Sequence, residues 1–405
     1  MAVINLRHWP TWALAIFYAV FGMSLPLTAA ILPEERLDIL YHRYDGDGVT
    51  VDGPSILGRK SVGKNTSVYA NYYTDAVSSA SIDVRTFASP YTEDRTEYSY
   101  GVDFVFDNST MALGYTNSEE NDYTSNTYHF GIGHTAFGDL TTVDLGVSFS
   151  DDEVRQNQYD NEGNFIGNNP DFGENGKAAL DRRSYKLGLT QIFTKNLIMN
   201  FAFEAVSDEG FTQNPYRNAI IAEPGGPIGG IANITNESYP ETRTSDAFAI
   251  RANYFLPYRA ALKLEYKYYK DSWDIEAHTY KIAYTHPFRD RWVFDFHYRV
   301  YQQDQASFYF DLLPENSGFV YQGRDKELST FNSQGIGFGM SYEFLQSGWW
   351  QFNKASVSFA YEHVNFDYDN FTDFDEGDPG NPNPNFGQSF SFDAEVIELY
   401  FSVWY

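Results

Sequence analysis

The amino-acid sequence predicts an all-β fold: a transmembrane antiparallel up-and-down β-barrel of about 16 strands. Three observations carry that prediction. Aromatic content is high while mean hydropathy is low, apolar and polar residues alternate with period two from residue 35 onward, and the connections are short and long by turns.

Composition narrows the classes first. The chain has 405 residues, no cysteine, 34 Phe, 32 Tyr, 7 Trp and a formal charge of −27. It is 18% aromatic at a mean hydropathy of −0.45. A helical membrane protein needs stretches of about 20 apolar residues, and only the N-terminus comes close. Disulfide scaffolds and thiolate metal or haem-attachment sites need cysteine. Disordered chains are poor in aromatics. A pI of 4.5 argues against nucleic acid, which requires a basic face. No cofactor is expected, because no phosphate-binding glycine loop is present.

Residues 1–30 read as a cleaved signal peptide. Arg7 gives a short basic start, Trp12 to Leu27 an apolar stretch broken by Gly22, Ser24 and Pro26, and Thr28, Ala29 and Ala30 a small-residue cleavage site. Residues 31–405 are then the exported barrel. Losing Arg7 takes the formal charge from −27 to −28.

Alternation defines the strands. Trp292, Phe294, Phe296, Tyr298 and Val300 alternate with Asp295, His297 and Arg299, and Leu262, Leu264, Tyr266 and Tyr268 with Lys263, Glu265 and Lys267. The pattern predicts strands at 35–44, 49–60, 65–77, 94–106, 110–118, 123–136, 140–150, 182–193, 197–207, 244–256, 260–270, 274–286, 291–302, 328–344, 350–366 and 389–405. Every second connection is tight, as at Asp107-Asn108-Ser109 and Pro257-Tyr258-Arg259. Long ones fall between them, at 78–93, 151–181, 208–243, 303–327 and 367–388. An outer-membrane barrel sorts its connections in this way, with short periplasmic turns and long external loops. Residues 35–60 alternate poorly and contain Pro54, which leaves a fourteen-strand barrel as the alternative. The last strand ends in an apolar face of Leu399, Phe401, Val403 and terminal Tyr405. That face resembles the C-terminal signal delivering Gram-negative outer-membrane proteins to the barrel-assembly machinery.

The long loops are acidic. Residues 151–181 hold eight carboxylates against Arg155 and Lys177, and residues 367–388 hold six (Asp367, Asp369, Asp373, Asp375, Glu376 and Asp378) with no basic residue. Such oxygen-rich loops suit weak divalent-cation binding or cation bridging to lipopolysaccharide. Asp45-Gly46-Asp47-Gly48 lacks the later ligands of a calcium loop and reads as a hairpin turn. Within the lumen, the polar faces of 244–302 place Arg251, Lys263, Lys267, Lys281 and Arg299 on one wall with Glu265, Asp295 and His297. This wall is either a selective constriction or a bracing salt-bridge ladder. Glycines 101, 114, 131, 133, 146, 335, 337 and 339 leave room opposite it.

Several runs resemble a known family: Tyr44-Asp45-Gly46-Asp47-Gly48-Val49, Val51-Asp52-Gly53-Pro54-Ser55, Ala70-Asn71-Tyr72-Tyr73, Val77 to Val84, Ala88-Ser89-Pro90-Tyr91-Thr92-Glu93 and Leu113 to Asp122. They are similar to an uncharacterised family of Gram-negative outer-membrane proteins known only as a domain of unknown function, densest over 35–150. The resemblance implies an outer-membrane barrel and assigns no activity or site residue. The stretch 77–93 is Ser/Ala-rich and less acidic than the other long loops, and either caps the rim or folds into the lumen as a constriction.

These observations lead to an outer-membrane, porin-like channel for small solutes, with the cationic wall as its selective element. A non-conducting scaffold that anchors a periplasmic or surface partner is the second expectation. Catalysis is not expected, because no nucleophile accompanies the strand of Asp295 and His297.

Overall fold

The computed structural model describes residues 31–79, 91–159, 165–222, 231–315, 318–374, 377–378 and 381–405. The signal-peptide region 1–30 lies outside the described residues.

Sixteen strands form the wall. β1 is Arg36–Gly46, β2 Val49–Ser61, β3 Thr66–Ser79, β4 Tyr91–Phe106, β5 Ser109–Glu119, β6 Tyr123–Ala136, β7 Thr141–Val154 and β8 Ala178–Thr194. The second half comprises β9 Leu197–Gly210, β10 Thr242–Phe255, β11 Ala261–Asp271, β12 Glu276–Phe288, β13 Trp292–Gln303, β14 Phe331–Leu345, β15 Lys354–Thr372 and β16 Ser389–Trp404. Each pairs antiparallel with its chain neighbour, and β16 closes on β1 with Ile39 opposite Phe401. Closure leaves no unpaired sheet edge.

The sixteen-strand expectation holds and the fourteen-strand alternative does not, because β1 and β2 are full wall strands. Pro54 is accommodated locally. The β2–β3 ladder runs from Asp52 opposite Ala76 to Ser55 opposite Tyr73 and skips Gly53 and Pro54, so the missing proline N–H breaks no bond there. The backbones also come close at this point, where a Cβ on Gly53 would overlap the carbonyl of Thr74. Asp47-Gly48 makes the β1–β2 turn with φ of 52° and 69°, the two left-handed residues of a tight hairpin.

Every long connection lies at one end of the barrel, with the tight β1–β2, β5–β6 and β11–β12 turns among them, and both the described chain ends lie at the other, where all the connections are short. At the loop end the strands are taller than expected. β7 continues to Val154, β8 begins at Ala178 and β15 reaches Thr372. There the outward face turns polar, for example at Asp151 and Arg183, so alternation fades while the backbone ladder goes on.

The two faces are inverted relative to a water-soluble barrel. Outward positions are large and apolar yet exposed, as with Phe296 at 50% and Ile336 at 63%, and exposed Phe106, Phe137, Phe193, Trp349 and Trp350 crowd the short-turn end. Inward positions hold the charges. High in the lumen, inward-facing Phe331, Phe366 and Tyr368 pack with Tyr44, Phe371 and Phe390 into a buried aromatic core.

Candidate functional site

The lumen is the candidate site. It holds a cavity of about 1420 Å³ that reaches from Arg36 and Ser402 near the short turns up to Tyr239, Trp273 and Leu328 beneath the long loops. Period-two geometry sets its lining, since antiparallel partners share a face. One cross-strand row runs Arg251, Glu265, Lys281, Arg299 and Gly335 over five neighbouring strands.

All eight residues of the expected wall lie on this inward face. Glu265 accepts Nε of Arg251 and lies 3.2 Å from Lys267 Nζ. Lys263 Nζ is 3.7 Å from Asp295, which also accepts from Thr285. Glu362 on β15, which the sequence analysis did not single out, lies 3.3 Å from His297 and 3.7 Å from Arg299. It reaches β13 across β14 because Gly335, Gly337 and Gly339 leave the intervening strand bare. A local sequence signal existed, in the form of three alternating glycines beside a strand with one inward acid.

Those glycines are therefore occupied by neighbours. A Cβ on Gly337 would overlap the ring of His297, and one on Gly101 the ring of Tyr69. Elsewhere the lumen is braced by Arg182 with Asp208 at 2.6 Å, Arg95 with Glu97 at 2.7 Å, Lys186 with Glu204 at 3.2 Å, and Arg59 with Asp103.

The mouth at the long-loop end is covered by the described parts of loops 211–241 and 304–330. Tyr239, Phe308, Tyr309 and Leu328 pack with Trp273 and Ile275 of the β11–β12 turn into a second buried cluster. Polar bonds lock the two loops together. Arg217 lies 3.1 Å from Asp325 and the Arg324 N–H donates to Glu237 at 2.6 Å, while within the first loop Tyr239 donates to the same Glu237 at 2.5 Å. Lys326 of the one 3₁₀ turn among the described residues pairs with Asp47. Burial, aided by Asp325, pushes the Glu237 carboxyl up to about 7. Burial likewise raises Glu120, on the β5–β6 turn, to about 8 against the opposing pull of Arg95. Of the stretch suited to a lumenal fold, residues 80–90 lie outside the described residues.

The remaining sequence candidates are dispersed. In the acidic stretch, Asp367 sits in β15 opposite Ser391, the Asp369 N–H donates to Thr330, and Asp373 accepts from Asn383 at 2.9 Å. Asp375 and Glu376 lie outside the described residues, as does the side chain of Asp378. Among the described residues no group of three His, Asp or Glu is placed to hold a metal ion. On β16, Leu399 and Phe401 face outward, Val403 is buried, and Tyr405 donates to the Arg59 carbonyl at 2.7 Å.

Comparison with known proteins adds a family. The sequence profile of "Protein of unknown function (DUF3570)" matches residues 55–365. No curated protein matches the sequence. Among solved structures, a bacterial polysaccharide outer membrane secretin is 8% identical, with 93% of this chain and 99% of that chain covered at a TM-score of 0.48. The monoaromatic hydrocarbon channel CymD is 8% identical, with 95% and 92% covered at 0.41. The siderophore receptor PirA from Acinetobacter baumannii is 9% identical at 0.43, with 92% of this chain covered, and this chain spans about 60% of that receptor's length.

Proposed function

The chain belongs to the DUF3570 family, and for this member we propose an outer-membrane channel for small solutes whose selectivity is set by the charged lumenal wall. The observation that carries this reading is the pairing of an apolar exterior with a cavity of about 1420 Å³ whose lining mixes charged and polar side chains with aromatic and aliphatic ones. A barrel of eight strands fills its interior with side chains, whereas sixteen leave an aqueous passage. The loops narrow the outer mouth and make passage selective by size. Lipid and lipopolysaccharide are the expected surroundings, the assembly machinery the expected partner during insertion, and a cleaved signal peptide the expected route of export.

Planar-bilayer recording tests the channel. Purified protein should give steady single-channel steps, and Lys263→Glu with Lys267→Glu should lower the anion-to-cation permeability ratio several-fold. The packed loops favour one competing reading, a sealed scaffold. A barrel that gives no steps and co-purifies with a periplasmic or surface partner would establish it.

The lipid-facing assignment has its own test. Leu399 is 44% exposed on the outward face of β16. A charge there costs about 2–4 kcal/mol near the bilayer midplane. Leu399→Arg should therefore reduce the amount of heat-modifiable barrel in outer-membrane fractions, while Leu399→Phe should leave it unchanged. Equal amounts of both would remove Leu399 from the lipid face.

A further inference from the structure

Resting on the channel reading, we propose that the lumen contains a binding site for small aromatic monocarboxylates, with Lys281 and Arg299 holding the carboxylate and Tyr301 and Phe331 receiving the ring.

Lys281 and Arg299 are direct cross-strand partners. That pairing brings their Cβ atoms to about 5 Å, where like charges destabilise a sheet. Elsewhere on the wall each cation has a carboxylate. Arg251 and Lys267 share Glu265, and Lys263 faces Asp295. Lys281 is different: its cross-strand neighbour on the other side is Glu265, which is engaged by Arg251 and Lys267, and among the described residues Lys281 makes no hydrogen bond and no ion pair within 4.0 Å. Arg299 is 9% exposed, and its Nε and Nη2 donate to no acceptor. Its ion partner Glu362 stands 3.7 Å away, beyond hydrogen-bond reach, and also lies 3.3 Å from His297.

A buried guanidinium with idle donors is costly, and a carboxylate is the group whose two oxygens fit its planar fork. Lys281 and Arg299 both line the cavity, so an anion entering the lumen meets them directly. Two like charges held opposite each other are stabilised once an anion sits between them.

The body of the ligand follows from the next residues along the wall. Tyr301 follows Arg299 by two positions on the same face, a step of about 6.6 Å. That is close to the span from a carboxylate to the far side of an attached six-membered ring. The Tyr301 and Phe331 rings lie 5.4 Å apart and both line the cavity, giving an apolar wall next to the cationic one.

The test is isothermal titration of the full-length protein in detergent with benzoate, acetate and benzamide, with empty micelles subtracted. Benzoate should bind, with acetate (no ring) and benzamide (no charge) each weaker by about tenfold or more. Lys281→Met should weaken benzoate by about tenfold, Lys281→Arg should restore it, and Glu362→Gln should tighten it by removing the competing carboxylate. The opposite directions expected for the two charge-removing variants separate a binding site from general damage to the fold. Benzoate binding no tighter than acetate, or unchanged in Lys281→Met, would overturn the site. Binding is read without any current. If benzoate binds as stated and bilayers stay silent, the channel reading falls and the site stands; if current flows without benzoate binding, only the site falls.

Discussion

Lys326→Met will loosen the outer cap of the barrel. Lys326 is 6% exposed, its Nζ pairs with Asp47 of the β1–β2 turn, and it lies over the rings of Phe390 and Phe392 at 5.8 and 5.3 Å. Methionine keeps the stem and loses the charge. Asp47, itself held in a two-residue hairpin at φ 52° and 5% exposed at its side chain, then loses the ammonium that pairs with it. Removing one partner of a buried pair costs about 3–5 kcal/mol. The wall strands carry their own ladders, so the cost falls on the attachment of loop 304–330. This loop is also held by Gln303, which donates to the Glu327 and Ser329 carbonyls at 2.7 and 3.1 Å, by Tyr309, which donates to the Asn370 carbonyl at 2.8 Å, and by the Arg217–Asp325 contact, so the loss loosens it without detaching it. Added protease should cut within 304–330 in the variant and spare the parent, and on the channel reading single-channel conductance should rise. Asp47→Asn combined with Lys326→Met removes both charges and should recover most of the protection. Unchanged cleavage and conductance in Lys326→Met would show that the pair does not hold the cap.

Strand positions were legible because period two is a local signal: Phe296 and Ile336 had to share one face, Asp295 and Arg299 the other. Strand ends at the loop side were not, because both faces of β7 and β15 become polar or aromatic there and the alternation ends before the hydrogen bonds do. The wall cations were legible for the same reason as the strands. Their partners were harder to read. Period two says that Glu362 points inward, but only closure of the sheet brings it across the bare glycines of β14 to Arg299 and His297, and that is a tertiary fact. The glycines themselves read as space, whereas at Gly101 and Gly337 the space belongs to Tyr69 and His297. The cap was illegible. Loops 211–241 and 304–330 have no periodicity, and contacts such as Arg217 with Asp325 join residues far apart in sequence.

The cap should also loosen as pH rises, through Glu237. This carboxyl sits between loops 211–241 and 304–330, accepting from the Tyr239 hydroxyl and the Arg324 N–H, with Asp325 opposing its charge and Arg217 favouring it. Burial raises it from 4.5 to about 7 in the closed cap, while in an opened, hydrated loop it returns to an ordinary carboxyl. Between those two values the closed form holds more protons than the open one, so closure weakens as protons are withdrawn. The contribution is fully present below about 4.5 and lost as pH climbs through about 7, a change of up to roughly 3 kcal/mol. Hydrogen exchange over 231–241 and 318–328 should therefore show protection falling from pH 5 to pH 9 by more than the intrinsic rate predicts. Glu120 moves in the same direction elsewhere in the loop layer, so Glu237→Gln is the control that isolates this site: its amide is neutral at every pH, and the excess pH dependence of these two segments should disappear. If the pH dependence survives in Glu237→Gln, or if protection rises with pH, Glu237 does not govern the cap.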